Sequence, residues 1–271
     1  MSAAVESNLG LRRGFGRLRA PLFRSRCCPA AFREPSADLL YLHAMSFTGI
    51  PKSGLAFLRD LRANNHKEWF EVHRAVWDDE LLPAMVAACA ELHARLSTLM
   101  PQLVLVPRVG GSVFRLNRDI RFSKDKSPYK TNAAALMWEG AEKFSSPGVY
   151  LHVAPDEVIF GGGLYSFEEA QLDRYRKLVV NEGAGEALEA ALAKAKKAGL
   201  APEGEKLVRP PRGVSPEHPR AELSKHKGLA VGGAQKPGAW VHTPEFLDRA
   251  EAAAKAYAPL HAWLRDQLCQ T

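Results

Sequence analysis

Six cations, two acids and a phenol fall within the stretch Ser112–Asn132, which reads SVFRLNRDIRFSKDKSPYKTN. The cations are Arg115, Arg118, Arg121, Lys124, Lys126 and Lys130; the acids are Asp119 and Asp125; the phenol is Tyr129. Guanidinium forks hold phosphate or carboxylate through paired N–H donors, and ammonium groups add field. The chemistry of such a cluster is capture of an anion. Arg115, Arg118 and Arg121 are the expected anchors, with Lys124, Lys126 and Lys130 supporting them. Asp119 would orient the arginines. Farther along, Tyr150 and His152 add a phenol and an imidazole that titrates near neutral pH, which suits general acid–base work. The candidate catalytic residues are therefore His152, Asp119 and Tyr129.

These side chains need elements to position them. From Val113 to Phe122 a period of two puts Arg115, Asn117, Asp119 and Arg121 on one face. Phe114, Leu116, Arg118, Ile120 and Phe122 take the other, so the spacing predicts a strand. Arg118 interrupts the apolar face and must snorkel to an edge or meet a buried anion. Ser123 to Thr131 reads as a loop, with a turn at Ser127-Pro128. Further period-two runs predict strands at Leu103–Pro107, Ala133–Trp138, Gly148–Ala154 and Val158–Gly163, in a meander. Tyr150 and His152 share a face of theirs. If the polar faces coincide, they sit near Arg115, Asp119 and Arg121.

Each motif also has a bland reading. The charged stretch can neutralise itself as a structural ion-pair network. His152 can be a satisfied histidine on a sheet. Gly161-Gly162-Gly163, ahead of a helix predicted to start at Ser166 with Glu169 in capping-box spacing, can cradle an anion or allow close strand packing. The run matches neither nucleotide-binding glycine pattern. His66 and His73 lie seven residues apart with no third ligand and no HExxH, so they read as surface or cap histidines and no metal site is expected. His218, Lys225, His226 and Lys227 make a second basic patch.

Several of these motifs occur together in one family. Arg115-x-x-Arg118-Asp119-x-Arg121-Phe122, Lys124-Asp125-Lys126 and Pro128-Tyr129-Lys130-Thr131 form the central signature. Asn64-Asn65 with Glu68-Trp69-Phe70, Gly148-x-Tyr150-x-His152, the triple glycine, and Pro211-Arg212-Gly213 with His218-Pro219, Leu223 and Lys225 accompany it. From Phe47 to Leu268 the chain resembles the uncharacterised family called domain of unknown function 2461 (DUF2461). The resemblance implies a set of positions and supplies no mechanism and no cofactor.

The chain has 271 residues, 46% hydrophobic and 25% charged, the balance of a globular protein. No apolar run is long enough to span a bilayer, so no membrane partner is expected. Cys27, Cys28, Cys89 and Cys269 form no CxxC pair and suit a reducing cytoplasm. Of the net charge of +7, residues 1–44 supply +4 through seven arginines against three acids. That segment reads as a disordered or mis-called extension, with one α+β domain spanning 45–271. Helices are expected from Ser53, through Trp69 to Trp77, from Pro83 to Leu99, from Ser166 to Val180, over 185–198 as a mostly solvated element, and after Thr243. The fold class is α+β: an antiparallel, meander-like sheet packed with N- and C-terminal helices.

Three functions fit this reading. One is a binding or catalytic site for an anionic small molecule. Another is nucleic-acid binding, which lacks the interleaved exposed aromatics of single-strand binders. The third is a non-enzymatic interaction module with a structural ion-pair network.

Overall fold

The computed structural model describes residues 46–140 and 142–269. The expectation for residues 1–44 lies outside them. In chain order the elements are α1 (Lys52–Ala63), α2 (Lys67–Ala75), a π-helical segment (Val76–Leu81) and α3 (Leu82–Leu96). Next come β1 (Leu103–Val104), β2 (Ala133–Glu139), β3 (Gly148–Val153) and β4 (Val158–Leu164). Then follow α4 (Glu169–Val180), α5 (Glu182–Lys197), β5 (Ala201–Glu203), α6 (Ala221–Ser224), β6 (Leu229–Gln235), a 3₁₀ turn (Ala239–His242) and α7 (Glu245–Leu268).

The fold is α+β. One antiparallel sheet has the order β1-β2-β3-β4-β6-β5, a meander through β4 with β6 laid beside it. Alternation decides which side of the sheet is covered. Ala133, Ala135 and Met137 of β2, Val149, Leu151 and Val153 of β3, and Val158, Phe160 and Leu164 of β4 are all buried on one face. Helices α3 and α7 pack there, α3 on β2 and α7 on β4. Helix α7 presents Phe246, Leu247, Ala250, Ala254, Tyr257, Leu260, Leu264 and Leu268 at steps of three and four, a continuous apolar stripe. Phe160 meets Phe246 edge-on at 5.0 Å in the middle of this layer. Among the described residues no helix is long and apolar enough to cross a membrane.

Three expectations change. Val113–Phe122 is not a strand: it is an extended segment with isolated bridges Val113–Ala135 and Asn117–Tyr129. Its backbone pairs with the sheet edge through Phe114 N–H to Ala134 O (2.9 Å) and Leu136 N–H to Ser112 O (2.8 Å). Beyond Arg118 the side chains take over. Asp119 Oδ1 accepts from Arg121 N–H (3.2 Å) and Asp125 Oδ1 from Ser127 N–H (2.9 Å), local turns that compete with a ladder. Helix starts also move: α4 is capped by Glu168, whose N–H donates to Gln171 Oε1 (3.0 Å), rather than by Ser166, and α1 and α7 begin after Pro51 and Pro244. Helix α5 is less solvated than expected, because Leu188, Ala191, Leu192 and Ala195 form a buried stripe, and the helix packs against α7.

Gly162 of β4 faces α7. A Cβ there would lie 2.3 Å from Tyr257 Cε2 and 2.7 Å from the carbonyl oxygen of Gly148. The helix can seat on the sheet only because this strand position has no side chain. Gly162→Ala is expected to destabilise the protein by about 1–3 kcal/mol, as overpacking does. In a thermal melt that is a fall of roughly 2–4 °C per kcal/mol for a domain of this size. An unchanged midpoint would mean that α7 can shift off β4 at no cost.

Candidate functional site

The face of the sheet opposite α7 carries the chemistry. Register aligns Ala134, His152 and Ile159 in one row, and Leu136, Tyr150, Gly161 and Gly232 in the next. A third row is Trp138, Gly148, Gly163, Ala230 and Glu203. These rows floor a cleft of about 530 Å³, walled by Phe114, Lys130 and Asn132 on one side, Tyr165 and Glu203 on the other, with Phe144 at its mouth. A mostly apolar concavity with a few convergent polar groups is the usual form of a small-molecule site.

Three polar side chains form a chain along the wall. The Tyr150 hydroxyl lies 3.2 Å from His152 Nδ1, and Asn132 Nδ2 lies 3.4 Å from the same atom. The Asn132 Nδ2 group can only donate and the Tyr150 hydroxyl can donate or accept, so the tautomer that uses both contacts is assigned with Nδ1 as acceptor and the ring proton on Nε2. Nε2 makes no hydrogen bond among the described residues, but faces Glu157 Oε1 at 3.6 Å. Burial lowers the His152 pKa, and the opposing pull of Glu157 and Asp156 is smaller, so the imidazole is neutral at pH 7. Burial likewise pushes the Tyr150 phenol up to about 12, helped by Glu203 and Glu157. Lys130 is lowered by burial and then by Arg115, and Glu203 is raised by burial and then by Glu157. Lys130 Nζ also stands 5.2 Å from the Phe114 ring centroid.

The family described as conserved hypothetical protein (DUF2461) matches residues 53–263. The chain belongs to the DUF2461 family. The match takes in all six strands and thus every strand residue of the cleft. Comparison with curated proteins gives no match.

Of the charged residues of Ser112–Asn132 in this DUF2461 protein, only Lys130 lines the cleft, joined by Phe114 and Asn132 of the same stretch. His152 lines it as well. Arg118 is turned inward upon its own loop, pairing with Asp125 and donating to Ser127 O (3.1 Å) and Ser123 Oγ (3.4 Å). Asp119 chelates Arg121 alone (Nε 2.9 Å, Nη2 2.7 Å), in an exposed pair that holds the carboxyl below its ordinary pKa, with Arg115 adding a smaller pull. Lys126 donates to Ile120 O (2.9 Å), while Arg115 and Lys124 are exposed. Tyr129 is buried and stacks on Phe70 at 4.1 Å, with its backbone clamped by Asn65 on both N–H and C=O. The stretch thus splits into one cleft lysine and a loop in which Arg118 and Arg121 take both acids while Arg115, Lys124 and Lys126 have no carboxylate partner among the described residues.

Other readings also resolve. His66 caps α2 by accepting from Trp69 N–H, and His73 bonds Trp69 O. The glycine run lies inside β4, and α4 starts only at Glu169, so no helix terminus cradles an anion there. The second basic patch is largely spent, since Lys225 and Lys227 pair with Glu222 and Glu205, and His226 is buried. Phe122 is 94% exposed beside Arg121, an exposed aromatic that the sequence reading did not anticipate. No group of three or more His, Cys, Asp and Glu among the described residues could hold a metal. Sequence reasoning missed Asn132, Glu157 and Glu203. The tight hairpin after His152 pointed towards Glu157, because a turn at Pro155-Asp156-Glu157 returns the chain beside β3. Nothing local pointed to Glu203, whose strand joins the sheet edge from far along the chain.

Two outcomes follow. Tyr129→Ala should lower stability by about 3 kcal/mol through loss of a buried ring, while Arg121→Ala should leave the urea midpoint unchanged. The reverse result would restore a structural role to the exposed pair. His226, desolvated and near Lys206, has its pKa lowered from 6.5 to about 4. Its unfolded form therefore binds the proton first as pH falls. Stability is full above pH 6.5 and declines towards pH 4, by up to about 1.4 kcal/mol per pH unit, and His152 adds in the same direction. Chemical denaturation from pH 7 to pH 4 should show that slope, and His226→Gln should flatten most of it.

Proposed function

We propose that the cleft binds an anionic small molecule and moves a proton on it. The observation that supports this most is the Tyr150–His152 hydrogen bond of 3.2 Å on the wall of a cleft that Lys130 also lines. Lys130 would pair with a phosphate or carboxylate. The neutral imidazole accepts at Nδ1, so Tyr150 can take a proton from the ligand as its own passes to His152. The Glu157 carboxylate, 3.6 Å from Nε2, would stabilise the imidazolium that forms. The two groups then act as one relay, and a phenol with a raised pKa is kept protonated until the base draws on it.

The test is a thermal-shift and calorimetric titration of the full chain with phosphate- and carboxylate-bearing small molecules. A true ligand at about a hundred times its dissociation constant should stabilise by about 2.7 kcal/mol, several degrees. Lys130→Met should weaken that ligand about tenfold or more, while His152→Gln should keep most of the binding and lose any turnover. Binding that ignores Lys130→Met, or a panel with no stabilising anion, would overturn the proposal.

A further inference from the structure

The floor of the cleft is unusual for a sheet face. Gly148 stands opposite Gly163, and Gly161 opposite Gly232, so four neighbouring open-face positions on β3, β4 and β6 lack side chains. The four step diagonally across the sheet: Tyr150 and Ala230 hold the other two corners, Leu136 leans over Gly148 and Glu203 over Gly232, so the low strip runs along Gly161 and Gly163, about 7 Å from one row to the next. That is a low strip of peptide surface on the scale of a single aromatic ring. Three of these glycines have local reasons to be glycine. Gly163 has φ +130°, a Cβ on Gly161 would meet Val231 O at 2.6 Å, and one on Gly148 would meet Met137 O at 2.7 Å. Gly232 is different. A Cβ there meets only the Glu203 carboxylate, at 2.6 Å, the mobile end of a long side chain. No backbone atom is among the nearest neighbours of a Cβ at 232, and the glycine there leaves room for the Glu203 carboxylate to lie over the floor.

The surroundings of the floor match the same shape. Tyr165 and Phe144 both border the cleft and are 73% and 69% exposed, large rings left in water beside a flat surface. Such rings offer stacking partners. The edges of the floor carry the Tyr150 hydroxyl, the Asn132 amide and the Glu203 carboxyl, which together supply donors and acceptors in reach of ring heteroatoms. Beyond the bonds that Tyr150 and Asn132 make to His152, a lipid-like chain would leave the Glu203 carboxyl and the free lone pairs of the hydroxyl and amide without partners, whereas a heteroaromatic edge would use them.

We infer that the ligand is a planar heteroaromatic ring bearing an anionic arm, the ring lying on the glycine floor and the arm directed to Lys130. This rests on the anion-binding reading of the cleft and adds the ring. Titrate the full chain with the four common nucleoside monophosphates and with pyridine and pyrimidine carboxylates. Set against them ribose 5-phosphate and aliphatic carboxylates of equal charge, and the uncharged nucleosides. At least one ring-bearing anion should bind about tenfold or more tightly than its ring-free counterpart, the scale of a stacked base. Gly232→Ala, which puts a methyl on the floor, should erase most of that difference while leaving the ring-free anion unchanged. Tyr165→Ala, on the exposed rim, should reduce it in the same sense and serves should Gly232→Ala melt early. Equal binding of ring-free and ring-bearing anions would overturn the ring inference and leave the anion site standing. Equal binding of nucleosides and their monophosphates would remove the anion and keep the floor. No binding by any compound would sink both.

Discussion

A tyrosine ring occupies the space where β4 would otherwise carry a side chain. Tyr257 of α7 lies against Gly162, and that contact sets the distance between the longest helix and the centre of the sheet. Close approach allows Phe246 to reach Phe160 and lets α5 pack behind α7. With one face sealed in this way, every residue of opposite parity on β2, β3, β4 and β6 points to the other side. The cleft is therefore a by-product of packing parity as much as of its own residues: Tyr150 and His152 face outwards because Val149, Leu151 and Val153 are needed inside.

Most of the charge of Ser112–Asn132 lies off the cleft, for a physical reason. Arginines near acids in sequence find them locally. Arg118 meets Asp125 seven residues on and Arg121 meets Asp119 two residues back, and both acids also tie down backbone N–H groups. Those two ion pairs shape the loop, while Arg115 and Lys124 stay exposed on its surface. Lys130 escapes because it follows the loop into the sheet edge, where Phe114 rather than a carboxylate is its neighbour.

The strands with mixed polarity were legible because their alternation is set by burial. Ala133–Trp138, Gly148–Ala154 and Val158–Gly163 differ from β2, β3 and β4 by a residue or so at an end. The pairing of Tyr150 with His152 on one face was legible for the same reason. Val113–Phe122 alternates too, yet Asp119 takes up the Arg121 backbone N–H and guanidinium in a local turn, so periodicity alone misleads there. Asn132 and Glu203 were out of reach because their role comes from strand order. The insertion of β6 between β4 and β5 places Glu203 over Gly232, and no local pattern encodes that neighbour relation.

The two outer strands have a consequence for how copies of this chain meet. An open antiparallel sheet offers unpaired N–H and C=O groups at its margins, a template for joining to another sheet. Here β1 has two residues, and β5 has three, the middle one Pro202, which has no N–H to give. On the β1 side the margin is shared with the bonds from Ser112 and Phe114 to β2, so it turns away after a few positions. Both margins are too short and too interrupted to propagate a ladder. The long central strands can therefore stay glycine-rich without making the protein prone to edge-to-edge aggregation.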